Sequence, residues 1–407
     1  MTVPHNRQMQ PPVTAPLTLT PPPSPRQHLT TKVKSLAAEH GLTIASVTSA
    51  ESFDGLAETL ERHIAAGHLD GLDWFTPERA RFSASPRNLH PSARSILAVG
   101  VAYWSVDPGK PEDTVLRGRI ARYAWGVDYH VLLKARMRSF LAALEQEVGG
   151  PVESRALVDT ARIVDRAVAA RAGLGWYGKH SCLIVPGHGS WVMLGEVLLD
   201  LDLEPDRPLD RDCGRCSISL DRCPTGAIVA PYTVSTPRCL SFQTIEQRGA
   251  IPREIRPLLG DWVFGCDVCQ DVCPYTKAAL PEPDPAFLPK TVDNAYPSLH
   301  RLLKMTDVEF QDLYRGTPVT RAKRRGLARN AAVALGNLGS DADVPILVET
   351  LAHHDEPLAR GHAAWALARI GGMHAEDPLS RRLNIEPDDS VRAEVAAALD
   401  GSVTARR

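Results

Sequence analysis

The sequence predicts an α+β multidomain protein in three parts, and three observations predict it. Helix- and strand-patterned segments alternate over residues 29–205, seven cysteines crowd into residues 213–273, and a small-apolar pattern recurs at a 32-residue offset near the C-terminus. A chain of 407 residues is long enough for two or three domains around a sizeable core. Its net charge of −2 sets up no global field toward nucleic acid or membrane, so either partner must be met by a local patch. No apolar run approaches the length of about 18 residues that spans a bilayer. The N-terminus shows neither an apolar signal core nor a twin-arginine pair, and a cytoplasmic protein is expected.

Residues 1–28, including PPVTAPLTLTPPPSP, read as a disordered tail, because such a stretch buries too little apolar surface to offset its ordering entropy. Residues 29–205 read as a mixed α/β domain. Helical periodicity covers 29–40, 54–66 and 129–148, and strand-like runs cover 96–104, 156–160 and 191–200. Residues 206–290 combine the cysteines with many prolines, as expected of irregular backbone wrapped around cofactors, with PEPDPAFLP (281–289) as a linker. Residues 291–407 read as stacked helix pairs of the HEAT type. Asn330–Gly339 (NAAVALGNLG) aligns with His362–Gly371 (HAAWALARIG), and Arg360 and Leu367 recur as Arg392 and Leu399. The plain alternative is two unrelated Ala-rich helices.

Seven of the eight cysteines lie within 61 residues. In a large chain with no export signal, tight spacings favour cofactor ligation over disulfides. Cys213-x2-Cys216-x2-Ser219-x3-Cys223-Pro224 has the bacterial ferredoxin spacing with serine in the third position, and Cys266-x2-Cys269-x3-Cys273-Pro274 is a contracted second copy. Three close thiolates on one loop grip three corners of a cubane, and the fourth faces the other cluster. Crossing the motifs puts Cys213, Cys216, Ser219 and Cys273 on one 4Fe–4S cluster and Cys223, Cys239, Cys266 and Cys269 on the other. With Ser219 the first is either oxygen-ligated or a three-iron cluster. A zinc ribbon is the competing reading, since C-x2-C pairs also bind zinc. Cys182, in SCLIVP, reads as a buried small hydrophobe.

Gly173-x-Gly175-x-x-Gly178 spells the dinucleotide fingerprint, yet a helical stretch precedes it and an apolar strand follows. That is the reverse of the strand–turn–helix context the fingerprint requires. The glycines read instead as a loop that lets backbone approach some other flat cofactor closely, with a helix C-cap and turn as the plain alternative.

Several segments together resemble the epoxyqueuosine reductases of transfer-RNA modification. They are RYAWGVDYH (122–130), LVDT (157–160), RAGLGWYGKHS (171–181), both cysteine motifs, CLSFQTIE (239–246), FGCDVCQDVCPY (264–275) and RAKRRGLARNAAVALGN (321–337). The resemblance implies a cobalamin bound by the N-terminal domain beside two 4Fe–4S clusters. It also implies reduction of epoxyqueuosine to queuosine at the wobble position of tRNA. The electron donor is not identified by the sequence, and a monomer is expected.

The resemblance places the proton donor on Asp159 of LVDT, expected as a partly buried carboxyl at a strand end that donates near neutral pH. On the residues alone, Asp159 reads as a helix N-cap. The family follows this Asp-Thr or Asp-Ser with a small residue and proline, a pattern from which Ala161-Arg162 departs. Arg122, Tyr123, Asp128, Tyr129, His130, Gly175, Trp176 and Lys179 are expected near the cobalamin and substrate, with Trp125, Trp176 and Tyr177 as candidate platforms for a splayed-out base. Residues 315–330 hold Arg315, Arg321, Lys323, Arg324, Arg325 and Arg329 and no acid, a candidate RNA-binding patch. Two other classes compete. A reductive dehalogenase would share the cofactors but have no use for a basic helical repeat. A HEAT scaffold that binds RNA would keep its clusters as staples and bind no cobalamin.

Overall fold

The computed structural model describes residues 24–281 and 283–401. The tail expected over 1–28 lies outside them up to residue 23, but its last residues are helical. Ser24 caps Pro25–Glu39 reciprocally with Gln27, and Pro25 occupies the first turn, so the helix starts before the expected residue 29.

Four strands, Ile44–Ser49, Ser95–Ala102, Val192–Leu199 and Ser154–Leu157, hydrogen-bond in that spatial order into an antiparallel sheet. The two inner strands are almost uniformly apolar because both faces are covered. On one face Val33, Leu133, Met137 and Phe140 of the helices Pro25–Glu39 and Tyr129–Val148 pack on Leu97 and Val197. On the other, Val168 and Ala169 of Asp165–Arg171 pack on Ile96, Ala98 and Leu198. The expected helix at 129–148 and the strands near 96, 156 and 191 are all present.

Gly173 ends the Asp165–Arg171 segment at φ +76°, and a Cβ there would sit 2.1 Å from the Arg207 carbonyl. A Cβ on Gly175 would meet the Ile184 carbonyl at 2.4 Å, across the pair Trp176–Tyr177 and Leu183–Ile184. The glycines therefore serve close packing, in the helix-then-strand order read from the sequence.

The cysteine-bearing segment is mostly irregular, with the short helices Ile218–Arg222, Val268–Asp271 and Pro274–Lys277. Cys273 starts the last of these, while Cys223 ends the first rather than starting a helix. The expected linker at 281–289 is docked. Asp284 pairs with Arg136, its amide meets the Ala102 carbonyl at 3.0 Å, and Phe287 is buried against Tyr103.

Beyond it, Lys323–Leu338, Pro357–Ile370 and Asp389–Leu399 stack with Val344–His353 and Glu376–Ile385 between them as helical repeats. Equivalent positions of the 32-residue repeat do equivalent work. Asn330 donates to the Thr244 and Val263 carbonyls (2.8 and 2.7 Å), and His362 accepts the Ile251 amide (3.2 Å). Both dock the repeats onto 243–263, so one core runs from Ile120 and Trp125 through Phe264 into the repeats. Among the described residues no helix is long and apolar enough to cross a membrane.

Candidate active site

A cavity of about 870 Å³ lies between residues 53–72, the start of Asp165–Arg171, the loop 177–182 and the cysteine segment. That is near the upper end of the ~300–1,000 Å³ usual for small-molecule sites. Part of its lining is apolar, with Phe53, Leu56, Leu60, Leu69 and Leu72. The lining also includes Cys223, Cys239, Cys266 and Cys269, the second expected ligand set, together with Cys182. A separate small cavity is lined by Cys213, Cys216, Ser219 and Cys273, the first set, with Lys179, His180 and Tyr275. Both groupings formed by crossing the motifs are therefore brought together. Among the described residues no three His, Cys, Asp or Glu side chains converge as they would on a single ion. The thiols line cavities instead.

His180 borders both cavities. Its Nδ1 accepts the Cys182 amide at 3.1 Å, and its buried Nε2 has no nitrogen or oxygen partner. The thiols of Cys182 and Cys273 are the groups that bear on the His180 ring and raise it, so the unpartnered nitrogen suits a site built of thiolates. Burial opposes ionisation of Cys273, but hydrogen bonds from His180 and the Thr276 and Tyr275 amides bring its thiol below the usual range. Cys182 is not an isolated core thiol: it lines the large cavity with Cys269, whose influence brings its thiol well below the usual range.

Lys179 donates to the Gly214 and Cys216 carbonyls (2.6 and 2.9 Å), pinning the first cysteine loop. Trp176 packs on Ile184 and Cys273, beside Tyr275. Trp176 and Lys179, expected near cobalamin together with Gly175, thus pack against the first cysteine site. Arg122 is likewise drawn away: its guanidinium meets Asp271 at 2.8 Å and Asp267 at 3.3 Å. Burial pushes Asp267 up to about 7 against the pull of Arg122. Trp125 and Trp176 are core residues, 2% and 4% exposed, and cannot serve as open platforms, whereas Tyr177 borders the large cavity.

Asp159 gathers the rest. It follows the strand Ser154–Leu157 and is exposed, with 51% of its side chain accessible, so the expected partial burial is absent. Its surroundings are nonetheless built. Tyr129 donates to its Oδ2 at 2.6 Å, His130 Nε2 stands 3.5 Å away and Arg321 Nη2 3.7 Å away. Asp128 caps the Tyr129–Val148 helix and holds His130 Nδ1 at 2.9 Å, and Tyr123 packs edge-on against Tyr129. Burial first, then the charge of Asp159, pushes the Tyr129 hydroxyl far above its ordinary value and keeps it a donor. Four non-glycine residues among those described have left-handed φ. One is Asp159 (φ +47°), and two others, Ser181 and Tyr232, line the large cavity. Such strain persists where surrounding structure over-determines it and clusters at functional sites.

The basic stretch divides. Arg321 belongs to the Asp159 cluster, donating to the Tyr129 hydroxyl at 2.9 Å with its charge over that ring. Arg324 is buried and paired with Asp307 and Asp355. Arg329, 1% exposed, donates to the carbonyls of Gln243, Gln247 and Gly249. Of the expected RNA contacts, Lys323 is exposed and Arg325 half-buried, with Arg315 exposed nearby. The sequence reading missed residues 53–72, whose amphipathic pattern is that of any packed helix. It also passed over Cys182, although an eighth thiol beside seven ligands was a signal.

Three families match successive parts of the chain: "Epoxyqueuosine reductase QueG, DUF1730" at residues 84–160, a 4Fe-4S double cluster binding domain at 212–276 and HEAT repeats at 320–400. The epoxyqueuosine reductase of Xanthomonas campestris pv. campestris is 38% identical over 343 residues, 84% of this chain and 96% of that one. That of Staphylococcus aureus is 35% identical, over 88% of this chain and 93% of that one. A crystal structure of an epoxyqueuosine reductase with a tRNA-Tyr epoxyqueuosine-modified stem loop superposes with a TM-score of 0.86 at 32% identity, over 92% of this chain and 98% of that one. The Bacillus subtilis enzyme, solved with an aspartate catalytic loop swung out of its active site, matches with the same score and coverage at 31% identity.

Proposed function

This chain belongs to the epoxyqueuosine reductase family, and on that premise we propose that it reduces epoxyqueuosine in tRNA to queuosine, using two 4Fe–4S clusters and a cobalamin. The observation that carries the cofactor reading is the large cavity with a complete set of four cysteines in its lining. Its apolar lining would suit a corrin, and Cys223, Cys239, Cys266 and Cys269 would hold a cluster in the same cavity. A bound cobalamin supplies a cobalt ion whose low oxidation states take up electrons delivered singly by the clusters.

The chain's own residues do the rest. Converting an epoxide to an alkene consumes two electrons and two protons and releases the oxygen as water. Asp159 is the proton donor in this reading, supported by the Tyr129 hydroxyl, His130 and Arg321, which fix its carboxyl and balance charge as it cycles. Phe53, Leu56 and Leu60 exclude water from the cavity, and Lys179 and His180 hold the first cysteine site against it. Lys323, Arg325 and Arg315 are the basic side chains left to meet RNA phosphates. Eight cysteines without a disulfide suit a reducing, cytoplasmic setting.

The test is an anaerobic assay of protein reconstituted with iron, sulfide and cobalamin, given a chemical reductant and epoxyqueuosine-containing tRNA and read by nucleoside mass spectrometry. Queuosine should appear, and iron, sulfide and one cobalamin should co-purify. Stoichiometric zinc without sulfide, or loaded enzyme that leaves epoxyqueuosine unchanged, would sink the reading.

A further inference from the structure

Glu196 is an anomaly in the centre of the sheet. It pairs across the backbone with Ala98 on one side and Leu157 on the other, it is 0% exposed, and neither carboxyl oxygen has a donor. An ionised carboxylate in such a place is costly unless paired or hydrogen-bonded. Its polar neighbour is another carboxyl, Asp165, the first residue of the Asp165–Arg171 helix. Two carboxyls in contact avoid repulsion by holding one proton between them.

Asp165 also reaches the catalytic loop. Its Oδ1 accepts the Asp159 amide at 3.0 Å. Leu157, which pairs with Glu196, lies two residues before Asp159. There the Thr160 amide closes on the Val158 carbonyl at 2.5 Å, a three-residue turn with Asp159 in the left-handed region at its apex. A turn of that kind needs an external hold.

We propose that Asp165 and Glu196 are positioning residues for Asp159: with one proton shared between them, Asp165 keeps an oxygen on the Asp159 amide and holds the loop in its strained turn. The protonated Glu196 donates to one Asp165 oxygen while the other accepts the amide. The proposal rests on the reading of Asp159 as proton donor.

Burial, then the charge of Asp165, raises Glu196 well above the carboxylate range; burial, then the charge of Asp159, raises Asp165. Other titratable or charged groups near the pair are Asp159 on the loop, Tyr177, and Arg166, whose guanidinium lies on the Ser181 carbonyl. The neighbouring strands present Ala98 and Leu157, which do not titrate. The one-proton pair persists between its two protonation steps and is lost as pH rises through the raised folded value of the last proton. The hold on Asp159 therefore fails on the alkaline side.

Two variants of the cofactor-loaded enzyme test this, by amide hydrogen exchange at residues 157–162 and by kcat against pH. Asp165→Ala should expose the Asp159 amide to rapid exchange and lower kcat by about 100-fold, the scale of a catalytic group misplaced by ~1 Å, with stem-loop KM and cofactor spectra unchanged. Glu196→Gln, whose amide donates at any pH, should keep the Asp159 amide protected and carry activity to higher pH than the wild type. Wild-type exchange and kcat in Asp165→Ala, or the same alkaline fall in Glu196→Gln, would overturn the proposal. Protection lost in Asp165→Ala, with no queuosine formed even by the wild type, would uphold the latch and indict the functional reading alone.

Discussion

Residues 212–276 and 315–330 are each dominated by one side-chain chemistry, thiol in the first and cation in the second, and the fold uses them in opposite ways. The thiols turn toward shared cavities, four to the large one and three, with Ser219, to the small one. The cations turn inward and apart: Arg329 to three backbone carbonyls, Arg324 to two aspartates, Arg321 to the Tyr129 hydroxyl. The difference lies in what can satisfy each group. An arginine with five donors finds partners among its own protein's carbonyls and carboxylates, whereas thiols take only a few weak hydrogen bonds, such as that from the Ala227 amide to Cys223, and as thiolates are ligands for a metal centre. A spacing motif is therefore a firmer guide to ligation than a charge count is to nucleic-acid binding.

The largest effect should come from the thiol side. Cys269→Ala removes a ligand from the cysteine set that borders the large cavity, and should abolish queuosine formation and halve the cluster absorbance. Cys216→Ala, on the small cavity, should leave the cavity-side cluster signal intact in electron paramagnetic resonance. Identical spectra for the two variants would show that the two cavities do not correspond to two clusters.

Next in size is Asp159→Asn. The amide keeps the shape and can still accept from Tyr129, but it supplies no carboxylic proton. Turnover should fall by ~100- to 10,000-fold, the usual contribution of a general acid, with iron content and cobalamin binding unchanged. Wild-type turnover would return Asp159 to a structural role. The variant also asks why Arg321, alone in the basic stretch, sits at this site: its charge should matter to the carboxyl beside it and not to RNA phosphates.

The basic stretch itself predicts a split. Replacing Lys323 and Arg325 by glutamine should weaken stem-loop binding and shrink the slope of log K against log salt by ~0.7–0.9 for each phosphate no longer neutralised. Arg329→Leu should leave that slope alone and instead lower stability, by about 1–3 kcal/mol for each carbonyl stripped of its donor. Burial, reinforced by Arg248, pulls the Arg329 guanidinium down to about 9, the mark of a cation enclosed by its own fold. A reduced salt slope in Arg329→Leu would contradict the burial argument.

What was legible follows the same line. The cysteine groupings, the helix at 129–148, the inner strands and the 32-residue repeat were readable because each rests on a local period or spacing that packing preserves. Asp159, Tyr129 and His130 were identified by family resemblance alone. Arg321 was identified as a cation, but its contacts with Tyr129 and His130 were not foreseen, because those groups lie about 190 residues away in the chain. The apolar cavity lining at 53–72 and the buried Glu196 were invisible for a related reason: only the fold brings them to one cavity with the thiols or beside a second carboxyl.

The smallest predicted effect lies at Ser219, the one place where the thiol pattern breaks. Ser219 is buried and lines the small cavity with Cys213, Cys216 and Cys273, so it occupies a ligand's place and not a solvent-facing substitute's. A hydroxyl oxygen is a harder donor than a thiolate, and its proton is held far more tightly than that of a cysteine thiol with a pKa of about 8.5. A cluster here either enforces deprotonation of the serine or lacks the iron at that corner. The large cavity keeps its four cysteines in both cases, so the defect is confined to the small one. Ser219→Cys should therefore raise iron per chain and slow cluster bleaching in air without changing the product or the cavity-side signal. Electron paramagnetic resonance of the two proteins decides the matter: a three-iron or otherwise distinct signal present with serine and absent with cysteine supports the ligand role, and identical spectra from two ordinary four-iron clusters would show that the oxygen serves as well as sulfur.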